Sequence, residues 1–140
     1  YKRVMEARGL RVRPEYIATV GTKVDTAYEG MREYLACAEQ MPTAFFADND
    51  IIAIGAMRAL KESGYDIPGD VSIVGFDNVS FGAMVEPALT TIHVYKQEMG
   101  EMAVRELLFA IENKSRIHLK IQVCTEFVER DSVRKIERQQ

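Results

Sequence analysis

Apolar and polar positions alternate between helical stripes and short strand-like runs along most of the chain. Tyr1, Val4 and Met5 stand at helical spacing, so residues 1–8 read as the end of a helix, with Gly9 as its terminator and Pro14 barring its continuation. Glu15–Val20, EYIATV, is apolar and β-branched enough for a strand. A loop runs from Gly21 to Asp25, and Asp25 or Thr26 is placed to cap the next helix through a side-chain oxygen. That helix carries the stripe Ala27, Met31, Tyr34, Leu35 and Ala38, close to the 3.6-residue period, and Pro42 closes the connection. Thr43–Ala47 is a short apolar run that reads as a buried strand with Phe45 and Phe46 in the core. It stops at Asp48, Asn49 and Asp50, and an amphipathic helix follows over residues 51–60, with Ile51, Ile54 and Ala59 and a wider ring around Met57 and Leu60. Gly64 caps this helix, and the turn YDIPGD leads to a second strand, Val71–Phe76, which ends at Asp77. The order α-β-α-β-α-β predicts a parallel sheet with right-handed crossovers.

After Asp77 the pattern changes. Asp77–Ser80 is a polar tip, Phe81–Val85 forms a short helical turn, and Pro87 precedes a strand-like segment, ALTTIHV. Residues 96–112 form a long amphipathic helix with apolar Met99, Met102, Ala103, Leu107 and Ile111, and its early glutamates suit the positive end of the helix dipole. Asn113–Arg116 is a turn, and His118–Val128 alternates partly, as an edge or crossing strand does. No internal repeat or low-complexity segment interrupts the pattern.

Composition narrows the picture. At 140 residues the chain is one domain's worth, or part of a larger one, and an apolar fraction of 47% suffices for a sizeable core. A net charge of −3 supplies no general attraction to nucleic acid. The basic tail residues Arg134, Lys135 and Arg138 are interrupted by glutamate and read as a solvated terminus. Cys37 and Cys124 belong to no CxxC pair; they read as reduced packing residues, which fits a reducing, cytoplasmic compartment. No stretch reaches transmembrane length, and YKRVMEARG is not a signal peptide. The chain starts in mid-pattern without an initiator methionine, so a piece upstream is expected.

Candidate chemistry gathers at the two acidic strand tips. In a parallel α/β sheet, ligands sit beyond the carboxyl ends of the strands, so Asp48–Asp50 and Asp77 could share one crevice. Carboxylates and an amide there suit the hydroxyls or ring nitrogens of a small polar ligand. Asn49 or Asp50 could equally cap the helix, and Asp77 could form an Asx-turn with the amides of Val79 or Ser80. Aspartates at strand tips can also hold magnesium, but no GxxxxGK[ST], GxGxxG or GxSxG motif accompanies them, and His93 and His118 belong to no HExxH. No catalytic site, metal site or cofactor is therefore expected. Phe81 and Tyr28 are placed to stack on a flat ligand or to cover an apolar edge, and the methionines at helical spacing read as core or interface filler.

The segments PTAFFADNDIIAIGAMRALKESGYDIPGDVSIVGFDN and EPALTTIHVYKQEMGEMAVREL resemble the effector-binding core of the lactose/galactose-repressor (LacI/GalR) family. The similarity runs from YKRVMEARGL to FVERDSV and is densest over residues 42–92, and EPALTTIH resembles the family's purine-repressor branch. The resemblance implies an α/β, parallel-sheet, periplasmic-binding-protein-like (type I) lobe that is incomplete. Residues 1–92 would be the C-terminal lobe without its first strand and helix, 93–118 the hinge crossing and a helix of the N-terminal lobe, and 119–140 the returning strand and tail.

The resemblance also implies a function: the effector-binding and dimerisation part of a DNA-binding regulator that senses a sugar or nucleobase-like molecule. By residue, Asn49 or Asp50, and Asp77, match positions that contact or frame the effector. Asn49 and Asp77 would hydrogen-bond it, while Asp50 would mostly cap its helix. Phe81, by its place one turn after Asp77 and not by the resemblance, joins them as a ligand-binding candidate that could equally cover an apolar edge. Thr22 stands where relatives often carry a stacking aromatic, and Val94 where some sugar-responsive members have a polar contact. Ile54, Arg58 and Val85 match a homodimer face, and a second copy could also cover exposed faces of helix 96–113. Operator DNA would be reached only through a head domain absent from this sequence, and no membrane partner is expected. Two other classes share these features in part: a solute-binding receptor of a transport system and a magnesium-dependent, aspartate-based enzyme.

Overall fold

The computed structural model describes residues 1–114 and 116–135. Ser115, inside the expected 113–116 turn, and the tail from residue 136, Arg138 included, lie outside the described residues. In chain order the elements are α1 (Lys2–Ala7), α2 (Val24–Cys37), β1 (Ala44–Phe46), α3 (Asp50–Glu62), β2 (Ser72–Val74), β3 (Thr91–His93), α4 (Lys96–Glu112) and β4 (Glu126–Val128). Short 3-10 turns lie at Pro14–Tyr16 and Ser80–Ala83.

Two helices stop where glycine permits it. Gly9 and Gly64 have φ of +67° and +88°, a left-handed geometry that L side chains resist. Past Gly9, the Leu10 amide bonds back to Met5 O at 2.9 Å; past Gly64, the Tyr65 amide bonds back to Leu60 O at 3.0 Å. Both are double-bonded C-terminal turns that satisfy otherwise free carbonyls. The start of α2 differs from expectation. Lys23 occupies the cap position and Asp25 lies inside the first turn, while Thr26 Oγ1 reaches back to accept from the Lys23 amide at 3.3 Å.

β1 and β2 run parallel in the register Ala44↔Ser72, Phe45↔Ile73 and Phe46↔Val74, with α3 as the crossover between them. The core lies under α2 and α3, where Met31, Ala53, Met57 and Leu60 meet Ile67, Val71, Ile73 and Leu89. Each large side chain buried here contributes roughly 1.5–3 kcal/mol. Gly55 lets the two helices approach, because a Cβ there would stand 2.5 Å from Val24 O and 2.8 Å from Ala27 Cβ.

Beyond β2 the ladder passes to the next segment. Parallel bridges join Val74 to Thr90 and Asp77 to His93, and β3 then pairs antiparallel with β4. The chain after β4 is stitched to the sheet by buried Ser132, whose hydroxyl donates to Ile73 O at 2.7 Å and accepts from the Thr90 amide at 2.8 Å.

Several expectations are corrected. Glu15–Val20 is not a strand: Pro14 opens a 3-10 turn, and Ile17 is extended, but among the described residues no ladder takes up the segment. Ala18 and Val20 still pack against the core, so the apolar pattern marks burial without pairing. In His118–Val128 only Glu126–Val128 is a strand, matching the three residues that β3 offers. Phe46 is 55% exposed rather than core, because the pleat sends it to the face opposite Phe45, which packs edge-on against Tyr34. Cys37 and Cys124 are exposed, not packing residues. Arg134 is not part of a free tail: its amide donates to Ser72 Oγ at 3.2 Å and its guanidinium to Gly69 O. No side chain of α4 is buried, and Leu107, Leu108, Phe109 and Ile111 are exposed along it.

The α2–α3 approach yields a test. Alanine favours a helix interior over glycine by about 0.8–1 kcal/mol. At Gly55 the added methyl meets backbone, so Gly55→Ala should instead destabilise the protein by about 1–3 kcal/mol in urea titration. A variant as stable as the parent would contradict this packing.

Candidate functional site

Asp50 is buried at the end of the sheet where the two acidic tips lie. It opens α3, has no exposed surface, and spends both oxygens within the protein. Oδ2 accepts from the Val79 amide at 2.8 Å, and Oδ1 accepts from Thr91 Oγ1 at 2.5 Å. Its own amide donates to Phe76 O at 2.8 Å. One carboxylate thus ties the start of α3, the tip after β2 and β3 together. Two donors and the positive end of a helix compensate its buried charge. Gly75 makes room for it, since a Cβ there would lie 2.2 Å from Oδ1.

Asn49, and not Asp50 as expected, caps α3. Asn49, extended at φ −154° and ψ 172°, is the N-cap, and its Oδ1 accepts from the Ile52 amide at 2.9 Å. Asp50 has already entered the helix, so its side chain turns onto the end of the sheet instead of capping. Asp50 has no exposed surface, and both of its oxygens are engaged within the protein.

Asp77 is a partly exposed carboxylate at the tip after β2, and Asp48, at the tip after β1, is exposed as well. Among the described residues no amide is bonded to the Asp77 side chain as an Asx-turn requires: Asp50 takes the Val79 amide, and the neighbouring Asn78 amide donates to Thr91 Oγ1 at 3.4 Å. Asp77 sits at φ +110°, its amide donates to Ile92 O at 2.9 Å, and its side chain is 38% exposed. Lys96 Nζ, at the start of α4, is 3.7 Å from Asp77 Oδ1. Beside it, Asn78 Oδ1 accepts from Arg130 Nη2 at 2.6 Å, Asn78 Nδ2 faces His93 Nδ1 at 3.1 Å, and Arg130 Nη1 donates to Leu89 O at 2.7 Å.

Of the expected ligand residues, Asn49, Asp50 and Asp77 meet at one end of the sheet. Phe81 follows on the 3-10 turn that Asp50 anchors and is 40% exposed. Thr22 is exposed in the loop before α2. Tyr28 is engaged elsewhere: its hydroxyl donates to Glu62, and its ring lies 4.4 Å under the Arg58 guanidinium. The Tyr28 bond and then the Arg58 pair hold the Glu62 carboxyl below its usual range. Of the expected dimer residues, Arg58 is exposed and paired with Glu62 at 2.9 Å, whereas Ile54 and Val85 are partly buried against the core.

Thr91, Asn78, Arg130 and Ser132 were not singled out from the sequence. They are single polar residues whose partners lie 13 or more positions away, so no local pattern marks them. Among the described residues no group of three His, Cys, Asp or Glu is placed to hold a metal ion. Two open cavities, of about 430 and 530 Å³, lie at the other end of α3 around Gly64 and Tyr65, away from Asp77.

Residues 1–133 match the family described as periplasmic binding protein-like domain. The HTH-type transcriptional repressor PurR of Histophilus somni (strain 129Pt) is 34% identical over 134 residues, 96% of this chain and 40% of that protein. PurR of Serratia proteamaculans (strain 568) is 38% identical over 133 residues, 95% of this chain and 39% of that protein. Among solved structures, the complex of the transcriptional regulator CelR with cellobiose matches with a TM-score of 0.86 at 26% identity, over 94% of this chain and 40% of that one. The chain thus spans about two-fifths of the length of the curated relatives it matches.

The Asp50 geometry has a measurable consequence. Asp50→Ala leaves the Val79 amide and the Thr91 hydroxyl without their acceptor, and should lower the unfolding free energy by about 3 kcal/mol. Asp50→Asn, which keeps one acceptor and gains a donor for Thr91 Oγ1, should cost less. Denaturant midpoints rank the two variants, and a neutral Asp50→Ala would refute the clamp.

Proposed function

This chain belongs to the periplasmic binding protein-like domain family, and from that premise we propose that it is the effector-sensing part of a LacI-type transcriptional regulator. The observation that carries the reading is the Asp77 carboxylate, accessible at a strand tip because its neighbours' amides are held by Asp50 and Thr91. A charged acceptor fixed in this way suits a small polar molecule, a sugar or nucleobase-like effector. Phe81 flanks it on the next turn, and Asn49 contributes what its capping role leaves free. The cellobiose of the CelR complex and the repressor role of the PurR relatives support the same reading.

In this proposal residues 1–92 belong to one lobe, 93–118 cross the hinge into a second lobe, and 119–140 return. The effector sits between lobes and shifts the balance between two arrangements, and it can do so only through its different affinity for each. The protein works in the cytoplasm, catalyses nothing, and reaches operator DNA through a separate head. A homodimer forms along α3 and the turn after Phe81, through Ile54, Arg58 and Val85, with Arg58 as the exposed member.

Asp77→Ala in the intact protein should cut effector affinity by about 10- to 100-fold, the loss of one charge-assisted hydrogen bond, with the thermal midpoint little changed. Isothermal titration with free sugars and nucleobases measures it, and unchanged affinity would defeat the assignment. For the dimer, Arg58→Glu should raise the monomer fraction in sedimentation equilibrium while leaving the helical signal intact. A variant that dimerises as well as the parent would move the interface elsewhere.

A further inference from the structure

Hydrogen-bond polarity at the sheet tip runs through three side chains in one direction. Arginine can only donate. Arg130 donates through Nη1 to Leu89 O and through Nη2 to Asn78 Oδ1, which fixes the end of the Asn78 carboxamide that bears oxygen. The other end, Nδ2, has only hydrogens to give, and it faces His93 Nδ1 at 3.1 Å. Nδ1 must therefore be the acceptor, so the neutral ring carries its proton on Nε2.

This oriented donor stands at a chosen place. His93 is the bridge partner of Asp77, so the two residues lie side by side at the strand ends. Both are half-buried. The groups around the imidazole are accounted for. The Tyr95 ring meets it edge-on at 4.6 Å. The Tyr95 hydroxyl goes to Glu126, the residue opposite His93 in β4, at 2.7 Å. Lys96 leans on Asp77, and Arg130 reaches the ring only through Asn78. Among the described residues none accepts from His93 Nε2.

We propose that His93 is a ligand-reading residue: its Nε2–H, held in that tautomer by Arg130 acting through Asn78, donates to the effector beside the Asp77 carboxylate. Arg130 and Asn78 are then positioning residues. The ligand half rests on the effector-sensing reading above, whereas the tautomer lock does not. The matched ligand presents an acceptor next to a donor, as a lactam edge of a nucleobase or a vicinal diol of a sugar does.

Nitrogen-15 correlation spectra of the intact protein test the lock without any ligand. His93 is expected as the Nε2–H tautomer, and an Nδ1–H tautomer in the parent protein would overturn the proposal. Asn78→Asp replaces the donor with an acceptor-only carboxylate, so His93 should move its proton to Nδ1 or become doubly protonated. An unchanged Nε2–H tautomer in that folded variant would also overturn it.

The ligand half is tested by titrating lactam nucleobases and free sugars in separate series. Whichever class binds should shift the His93 Nε2–H resonance. His93→Phe should weaken that binding at least tenfold, and His93→Gln, whose amide can stand in for Nε2–H, should restore part of it. A compound that binds by calorimetry without moving this resonance overturns the contact. Absence of binding by both classes overturns the effector reading, and the ligand half with it, while the tautomer result stands on its own.

Discussion

The buried carboxylate of Asp50 is the constraint from which the site follows. Removing a carboxylate from water costs several kcal/mol, which is offset only when its hydrogen bonds are complete and well aligned. Here they come from Val79 and Thr91, 29 and 41 positions along the chain, so compensating one charge forces three segments together. The Asp50 bond also takes the Val79 amide, the one that an Asx-turn at Asp77 would use. Asp77 and Asn78 sit at positive φ, +110° and +52°, a backbone cost of order 1–3 kcal/mol each. That cost is held in place by the Asp50 bonds on one side and the Asp77–Ile92 ladder bond on the other. The accessible acid at the tip is thus a consequence of the inaccessible one beneath it.

The segment after β4 completes the arrangement from the far side. Ser132 joins Ile73 of β2 to Thr90, just ahead of β3, and the Arg130 amide donates to Thr90 Oγ1 at 2.9 Å. Arg130 then orders Asn78 at the tip itself. Residues that look like the start of a tail therefore set the position of the strand ends. They also bind the tip and β3 into one unit.

The parts of this fold that were legible from the sequence are those with a local cause. Gly9 and Gly64 mark helix ends because glycine adopts their left-handed geometry without side-chain strain. Met31 on α2, and Met57 and Leu60 on α3, mark the core because each lies on the apolar stripe of its own helix. Asn49 and Asp50 were not separable in the same way. They differ by one position, and only Val79 and Thr91 decide which of them turns inward. Glu15–Val20 and most of His118–Val128 carry strand-like composition, yet a strand needs a partner, and composition does not report one. The relay from Arg130 through Asn78 to His93 is the extreme case: three polar residues, 15 and 52 positions apart, with no periodicity to announce them.

In the proposed mechanism, information has to pass from Asp77 into α4, and the magnitudes restrict how. The direct link is Lys96 at 3.7 Å, with both side chains partly exposed. An exposed pair of that kind is worth about 0–1 kcal/mol. Coupling between an effector and a distant site is typically 1–3 kcal/mol, so displacing Lys96 from Asp77 falls short of it. Burying a single leucine or phenylalanine contributes roughly 1.5–3 kcal/mol. Leu107, Leu108 and Phe109 of α4 are all exposed. A small difference between arrangements in how that apolar side is covered would outweigh the ion pair. In this mechanism the polar tip selects the ligand, and the apolar side of α4 supplies most of the energy that makes the selection felt elsewhere.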